Sequence, residues 1–274
     1  MTHRLPLFCT VLLATAVAPA MAQDVTAMLK AADHYRMSAD NLQVDTLVQL
    51  FHADGTPDKE RRYTVFAQAG RQSLVLMQSP AEKGQKVLML GDDFWLLMPG
   101  SQRPLRITPM QKLLGDASTG DIATLSWSGD YTATLLGEGA CQPDAPTAPA
   151  APQEDEKPQE KKAYNAYPDS TVCYKLELKA ARKGVTYQRM VLWLGKRHHE
   201  PVRADLFVQS DKLAKQARFV MDKPGAGATV STMVLVDQLG NQKQTRVTYL
   251  SRRERTVPPE WLNPMFLARN PSLE

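Results

Sequence analysis

Few side chains in this sequence combine a reactive type with a useful spacing. Asp92 and Asp93 are adjacent, and paired carboxylates can share general acid and base work. They lie in a Gly-Asp-Asp link between two apolar runs, however, where acidic residues serve as turn formers. His198-His199-Glu200 offers nitrogen and carboxylate ligands in three consecutive positions. A metal needs ligands converging from several elements, and His34 and His52 are distant in sequence. The triplet reads as an exposed turn, so neither a metal nor a cofactor is expected. There is no Gly-rich phosphate loop and no G-x-S-x-G nucleophile turn. Cys141 and Cys173 are too far apart for a C-x-x-C redox pair. No catalytic residue is assigned, and the chain is read as a non-enzyme.

The address of the protein is written more clearly. Residues 1–22 hold a short basic start (His3, Arg4), an apolar run and a final Ala-Met-Ala. This is the three-part pattern of a secretory signal, cleaved after Ala22, and the run is too short to span a bilayer. Cys9 lies inside the run and no Cys stands at the cleavage site, so a soluble periplasmic protein without a lipid anchor is expected. Two cysteines then remain. An even count in an oxidising compartment favours a Cys141–Cys173 disulfide. The formal charge of +4, from 33 Lys+Arg and 29 Asp+Glu, is small and interspersed. Nucleic acid is not implied by so even a balance.

The elements follow from periodicity. Residues 24–36 carry apolar side chains at three- and four-residue spacing, which predicts a helix. From residue 42 the period becomes two. Strands are predicted at 42–50, 62–68, 73–78, 86–90, 94–98, 131–136, 173–180, 187–194, 202–209, 216–221, 232–237 and 244–250, joined mostly by short turns that imply antiparallel hairpins. Short helices are predicted at 108–114, ended by Gly115, and at 119–125, with a closing turn at 258–262. The segment 142–172 is rich in Pro, Ala, Glu and Lys and poor in large aliphatic residues, so it reads as a disordered insert. If 131–136 and 173–180 pair, the two cysteines sit at the neck of that hairpin. The expected fold is mainly β (α+β): about twelve strands in one large curved antiparallel sheet or half-open barrel with short covering helices. One domain would occupy residues 23–274. Several strands are apolar on both faces, which requires cover on each side or an apolar cavity.

Residues 79–100 (SPAEKGQKVLMLGDDFWLLMPG) and 103–115 (RPLRITPMQKLLG) resemble the outer-membrane lipoprotein-sorting protein family, relatives of the LolA/LolB carriers. The segments GDIA (120–123), YTATLLG (131–137), CYKLEL (173–178), YQRMVLW (187–193) and PVRA (201–204) continue the match. The insert at 142–172 departs from the family pattern. The resemblance implies a half-open antiparallel barrel with a hydrophobic cavity. It also implies a periplasmic shuttle for lipoprotein or lipid cargo, loaded by an inner-membrane transporter of ABC or RND type and touching membranes only transiently.

Cavity candidates are Phe94, Trp95, Leu97, Trp127, Met190 and Trp193, with Met110, Leu113 and Leu114 on a helical lid. Arg103 and Arg106, beside that lid, are the candidates for an anionic headgroup. The inward face cannot be assigned from sequence, because a one-residue shift of register inverts it. An alternative reading is an envelope-stress sensor that uses the same fold to detect mislocalised lipids or outer-membrane proteins.

Overall fold

The computed structural model describes residues 24–141, 171–223, 227–240 and 243–273. The leader expected at 1–22 and nearly all of the insert expected at 142–172 lie outside these residues. Helix α1 (Val25–His34) starts where predicted. The Asp24 side chain accepts from the Ala27 N–H, a standard N-cap, and Met28, Leu29 and Ala32 turn inward. The chain then enters β1 (Leu42–Phe51), β2 (Pro57–Gln68), β3 (Gln72–Met77), β4 (Lys86–Leu90), β5 (Asp93–Leu97) and β6 (Leu105–Ile107). Two minimal strands follow, β7 (Lys112–Leu114) and β8 (Ala117–Ser118), and then helix α2 (Thr119–Ala123). The second half is β9 (Tyr131–Ala140), β10 (Val172–Ala180), β11 (Arg189–Gly195), β12 (Pro201–Phe207), β13 (Leu213–Met221), β14 (Val230–Asp237) and β15 (Gln244–Glu254). A 3-10 turn (Pro259–Leu262) and helix α3 (Pro264–Ala268) end the described chain.

Thirteen strands form one antiparallel sheet in the order β6-β5-β4-β3-β2-β1-β15-β14-β13-β12-β11-β10-β9. The chain starts at the centre, meanders out to β6, crosses through β7, β8 and α2 to the opposite edge at β9, and meanders back to pair β15 with β1. Among the described residues the sheet does not close into a barrel, and β6 and β9 are its two edges, in keeping with the expected open, curved antiparallel sheet. β9 and β10 pair as expected, and Cys141 is disulfide-bonded to Cys173 at the end of that pair.

Both faces are covered, which explains the doubly apolar strands. The inner face, with Val65, Val75, Val87, Phe94, Leu176, Leu192 and Leu235, packs under α1 and the crossing segment 108–130. The outer face of β2–β5 carries Phe66, Leu74, Leu88 and Leu97, and the C-terminal tail lays Trp261 and Leu267 over it. Phe66 and Trp261 meet edge to face at 5.4 Å.

One expectation is corrected and one strand was not foreseen. The lid at 108–114 is not a helix: Gln111 N–H closes a turn on Thr108 O, and β7 pairs with β8. Gly115 adopts φ +55 between them, and a Cβ there would lie 2.5 Å from Thr245 Oγ1. A helix this short gains too few bonds to offset its nucleation, whereas the hairpin docks on β15 through the Asp116 N–H and Thr245 Oγ1. Strand β6 was not predicted, since three residues after a proline carry no readable alternation.

At one end, turns from the two halves meet. Arg71, in the β2–β3 turn, bonds Asp130 at 2.7 Å and Gly184 O at 2.8 Å. Asp92, in the β4–β5 turn, lies 3.6 Å from both Arg71 and Arg182. Burial pushes the Asp130 carboxyl above its usual range, although Arg71 and Arg182 oppose this. Gly184 makes the approach possible, because a Cβ there would sit 2.3 Å from the Asp92 Cα. We therefore expect Gly184→Ala to destabilise the fold by about 1–3 kcal/mol through backbone displacement. An unchanged urea midpoint would show that the two turns do not constrain each other.

Candidate functional site

The inner face of the second half forms a small cavity. Its floor is Met190 (β11), Ala204 and Leu206 (β12), Ala217 and Phe219 (β13) and Met233 (β14). Its roof is Gly120, Asp121, Thr124 and Trp127 of the crossing segment, and Arg36, Asp130, Tyr131, Thr186 and Tyr187 complete the lining. The volume is about 40 Å³, room for roughly three water molecules and too little for an acyl chain. The crossing segment thus occupies the space that a larger apolar guest would need.

Side-chain bonds hold that segment down. Asp121 Oδ2 accepts from Ser118 N–H (2.8 Å), Ser118 Oγ (2.7 Å) and Lys215 Nζ (2.8 Å), and Oδ1 accepts from the Tyr187 hydroxyl (2.8 Å). Lys215 also donates to the Asp116 carbonyl. Both members of the Asp121–Lys215 pair are 5 % exposed. Burial raises the Asp121 carboxyl, but Lys215 and Ser118 outweigh it, so the group stays below the ordinary aspartate range. Burial, then the Asp121 charge, pushes the Tyr187 phenol well above its usual value. At the far end, Asp33 accepts from Ser126 Oγ (2.8 Å), Trp127 N–H (2.5 Å) and Ser128 N–H (2.8 Å). The Arg36 guanidinium donates to Thr124 O and stacks 4.2 Å from the Trp127 ring centre.

The sequence candidates divide between the two faces. Trp127 and Met190 line the cavity. Phe94 and Leu114 are buried in the same inner cluster, and Met110 and Leu113 pack against it half-buried. Trp95 and Leu97 lie on the outer face with the C-terminal tail. Trp193 lies with the disulfide cluster, between Lys175 and Arg203. Strand alternation makes the separation unavoidable: once Phe94 points in, Trp95 points out. Arg106 is also on the outer face, stacked on Trp95 and paired with Asp93 at 2.7 Å, while Arg103 is exposed in the loop before β6. Neither borders the cavity.

Asp92 and Asp93 face different cations and do not work as a pair. His198-His199-Glu200 forms the β11–β12 link. Among the described residues no three His, Cys, Asp or Glu side chains converge on one point, and no helix is long and apolar enough to cross a membrane. Arg36, Asp121, Tyr187 and Lys215 escaped the sequence reading. Lys215 shares the inward phase of Ala217, Phe219 and Met221 on β13. A lysine in an apolar phase was the available signal, but the strand was predicted to begin at Gln216, three residues after its true start at Leu213.

Comparison with solved structures places this fold. A LolA superfamily protein from Nitrosomonas europaea superposes with a TM-score of 0.70 at 26% identity, over 86% of this chain and 96% of the other. A putative outer membrane lipoprotein-sorting protein domain from Vibrio parahaemolyticus gives 0.63 at 16% identity, over 89% and 98%. A DUF1329 family protein from Desulfovibrio piger gives 0.62 at 20%, over 87% and 97%. The open thirteen-stranded sheet with its crossing segment is a LolA-like fold. A search among curated proteins found no match. The chain belongs to the family, described as "uncharacterized protein", whose sequence model matches residues 69–269.

Proposed function

We propose that this protein is a periplasmic carrier, not an enzyme, that takes the acyl chains of lipoproteins or lipids and moves them towards the outer membrane. The observation that carries this reading is the crossing segment 108–130, which lies over an apolar sheet face and is fixed there by a small set of polar bonds. Lifting it uncovers an apolar surface without unpairing the thirteen-stranded sheet. An acyl chain taken from water is favoured by roughly 0.8 kcal/mol per methylene, and this offsets the cost of breaking the polar bonds. Phe94, Met110, Leu113, Leu114, Trp127 and Met190 would contact the chain. The disulfide suits an exported protein. Cleavage after Ala22 would leave it free to diffuse, and an inner-membrane transporter of ABC or RND type would load it during transient membrane contact.

Mature protein isolated from periplasm should take up a fluorescent long-chain fatty acid saturably, at one or a few sites, and native extracts should contain co-purified lipid by mass spectrometry. Absence of both would overturn the carrier reading.

A further inference from the structure

Arg36 is a buried cation in a cavity of mixed polar and apolar lining. It follows α1, is only 6 % exposed and lines the cavity beside Trp127, Phe219 and Met233. One nitrogen donates to Thr124 O at 3.0 Å, and the guanidinium stacks on Trp127. Its Nε is buried with no hydrogen-bond partner among the described residues. Arg252, on β15 opposite Val44, repeats the pattern. It donates to Thr229 Oγ1 and Val230 O and stacks 4.6 Å from the Tyr249 ring centre, and its Nε is likewise buried and unpartnered. The two charges are near enough to interact: burial lowers the Arg252 pKa first, Tyr249 and Asp222 oppose this, and the Arg36 charge lowers it further.

Among the described residues neither arginine belongs to an ion pair. Asp33, the acidic residue one turn before Arg36, has both carboxylate oxygens engaged by Ser126, Trp127 and Ser128. The acidic groups elsewhere in the cavity are already neutralised, Asp121 by Lys215 and Asp130 by Arg71. A desolvated cation without an anion is costly, and an incoming anion relieves that cost. Guanidinium nitrogens match the oxygens of carboxylate and phosphate.

We propose that the Arg36 end of the cavity, backed by Arg252, is an anion subsite for the carboxylate or phosphate oxygen of an amphiphile whose acyl chain runs over Met190, Leu206 and Phe219. This rests on the carrier reading and adds the headgroup chemistry and its polarity in the site. Asp121 and Asp130 already have their own cations, which leaves Arg36 as the place where a negative headgroup is stabilised.

The test compares a long-chain fatty acid with the fatty alcohol of equal length, both binding the full mature chain at neutral pH. The acid should bind about ten- to a hundredfold more tightly, as expected for hydrogen bonds to a charged group. Arg36→Met keeps a long apolar stem and should abolish this preference, read as the ratio of acid to alcohol affinity within the same variant. Equal affinities in the wild type, or a preference that survives Arg36→Met, overturn the subsite. Should Arg36→Met fail to fold, the wild-type comparison still decides, and Arg252→Met should reduce the preference. Inorganic phosphate alone should bind far more weakly than the fatty acid; equal affinity would assign the site to a free anion and overturn the amphiphile. Binding of the alcohol but not the acid sinks the subsite alone, whereas binding of neither sinks the carrier reading as well.

Discussion

Lys215→Met is expected to lower the stability of the folded protein by about 3–5 kcal/mol, the usual cost of stranding a buried charge. The Asp121 carboxylate would keep Ser118 and Tyr187 but lose the cation paired with it, at a position only 5 % exposed. In a protein of this size that corresponds to a drop in Tm of roughly 6–20 °C. The companion variant Lys215→Met with Asp121→Asn removes both charges and should recover a large part of the loss, since the remaining amide can still bond Ser118 and Tyr187. The same pair sets a pH dependence. Asp121 titrates below the ordinary aspartate value of 3.8 in the folded protein. Its contribution is therefore fully present above the unfolded pKa and is lost as pH falls through the lower, folded one. Wild type should lose this increment in acid, and Lys215→Met should show a flatter profile there. A Lys215→Met urea midpoint within error of wild type would mean that the crossing segment is held by packing and not by this pair.

Removing the disulfide should have the next largest effect. Cys141 and Cys173 are separated by 32 positions, and in the chain-entropy model closing a loop of that length stabilises by about 3–4 kcal/mol. The Cys141→Ser, Cys173→Ser double variant should lose that amount in chemical denaturation. β9 is an edge strand whose sheet partner is β10, so the loss should appear first as faster amide exchange along β9 and β10. Halving the segment between the cysteines should change the disulfide's contribution by only about 0.6 kcal/mol, because loop entropy grows logarithmically. A double variant as stable as wild type would show that β9 is anchored by α1 and the inner core alone.

The strands and the first helix were legible because their signals are local. Alternation at 42–50 and 86–90 and helical spacing at 24–36 reappear as β1, β4 and α1. The disulfide was legible from arithmetic and compartment. Residues 108–114 misled because apolar positions at 110, 113 and 114 fit a helical turn as well as a half-buried hairpin. Only the bond from Asp116 N–H to Thr245, 129 residues away, chooses between them.

The cavity shows the same limit more sharply. Which residues are apolar, and which of them alternate, is a property of the chain; which face is inside is not. Phe94 and Trp95 are adjacent aromatic residues of similar hydrophobicity. One packs beneath α1 and the crossing segment and the other beneath the C-terminal tail, because the tail returns to cover β2–β5 from outside. Asp121, Tyr187 and Lys215 belong to three elements spread over nearly a hundred residues, and no sequence spacing links them. Their convergence depends on the sheet order, which carries the chain across from β6 to β9 and lays α2 against β13. Local periodicity therefore established the strands and the first helix, and the even cysteine count pointed to the disulfide. Long-range pairing alone decided that the inner face is filled by its own crossing segment, with Arg36 bonded to Thr124 O and stacked on Trp127 beside it.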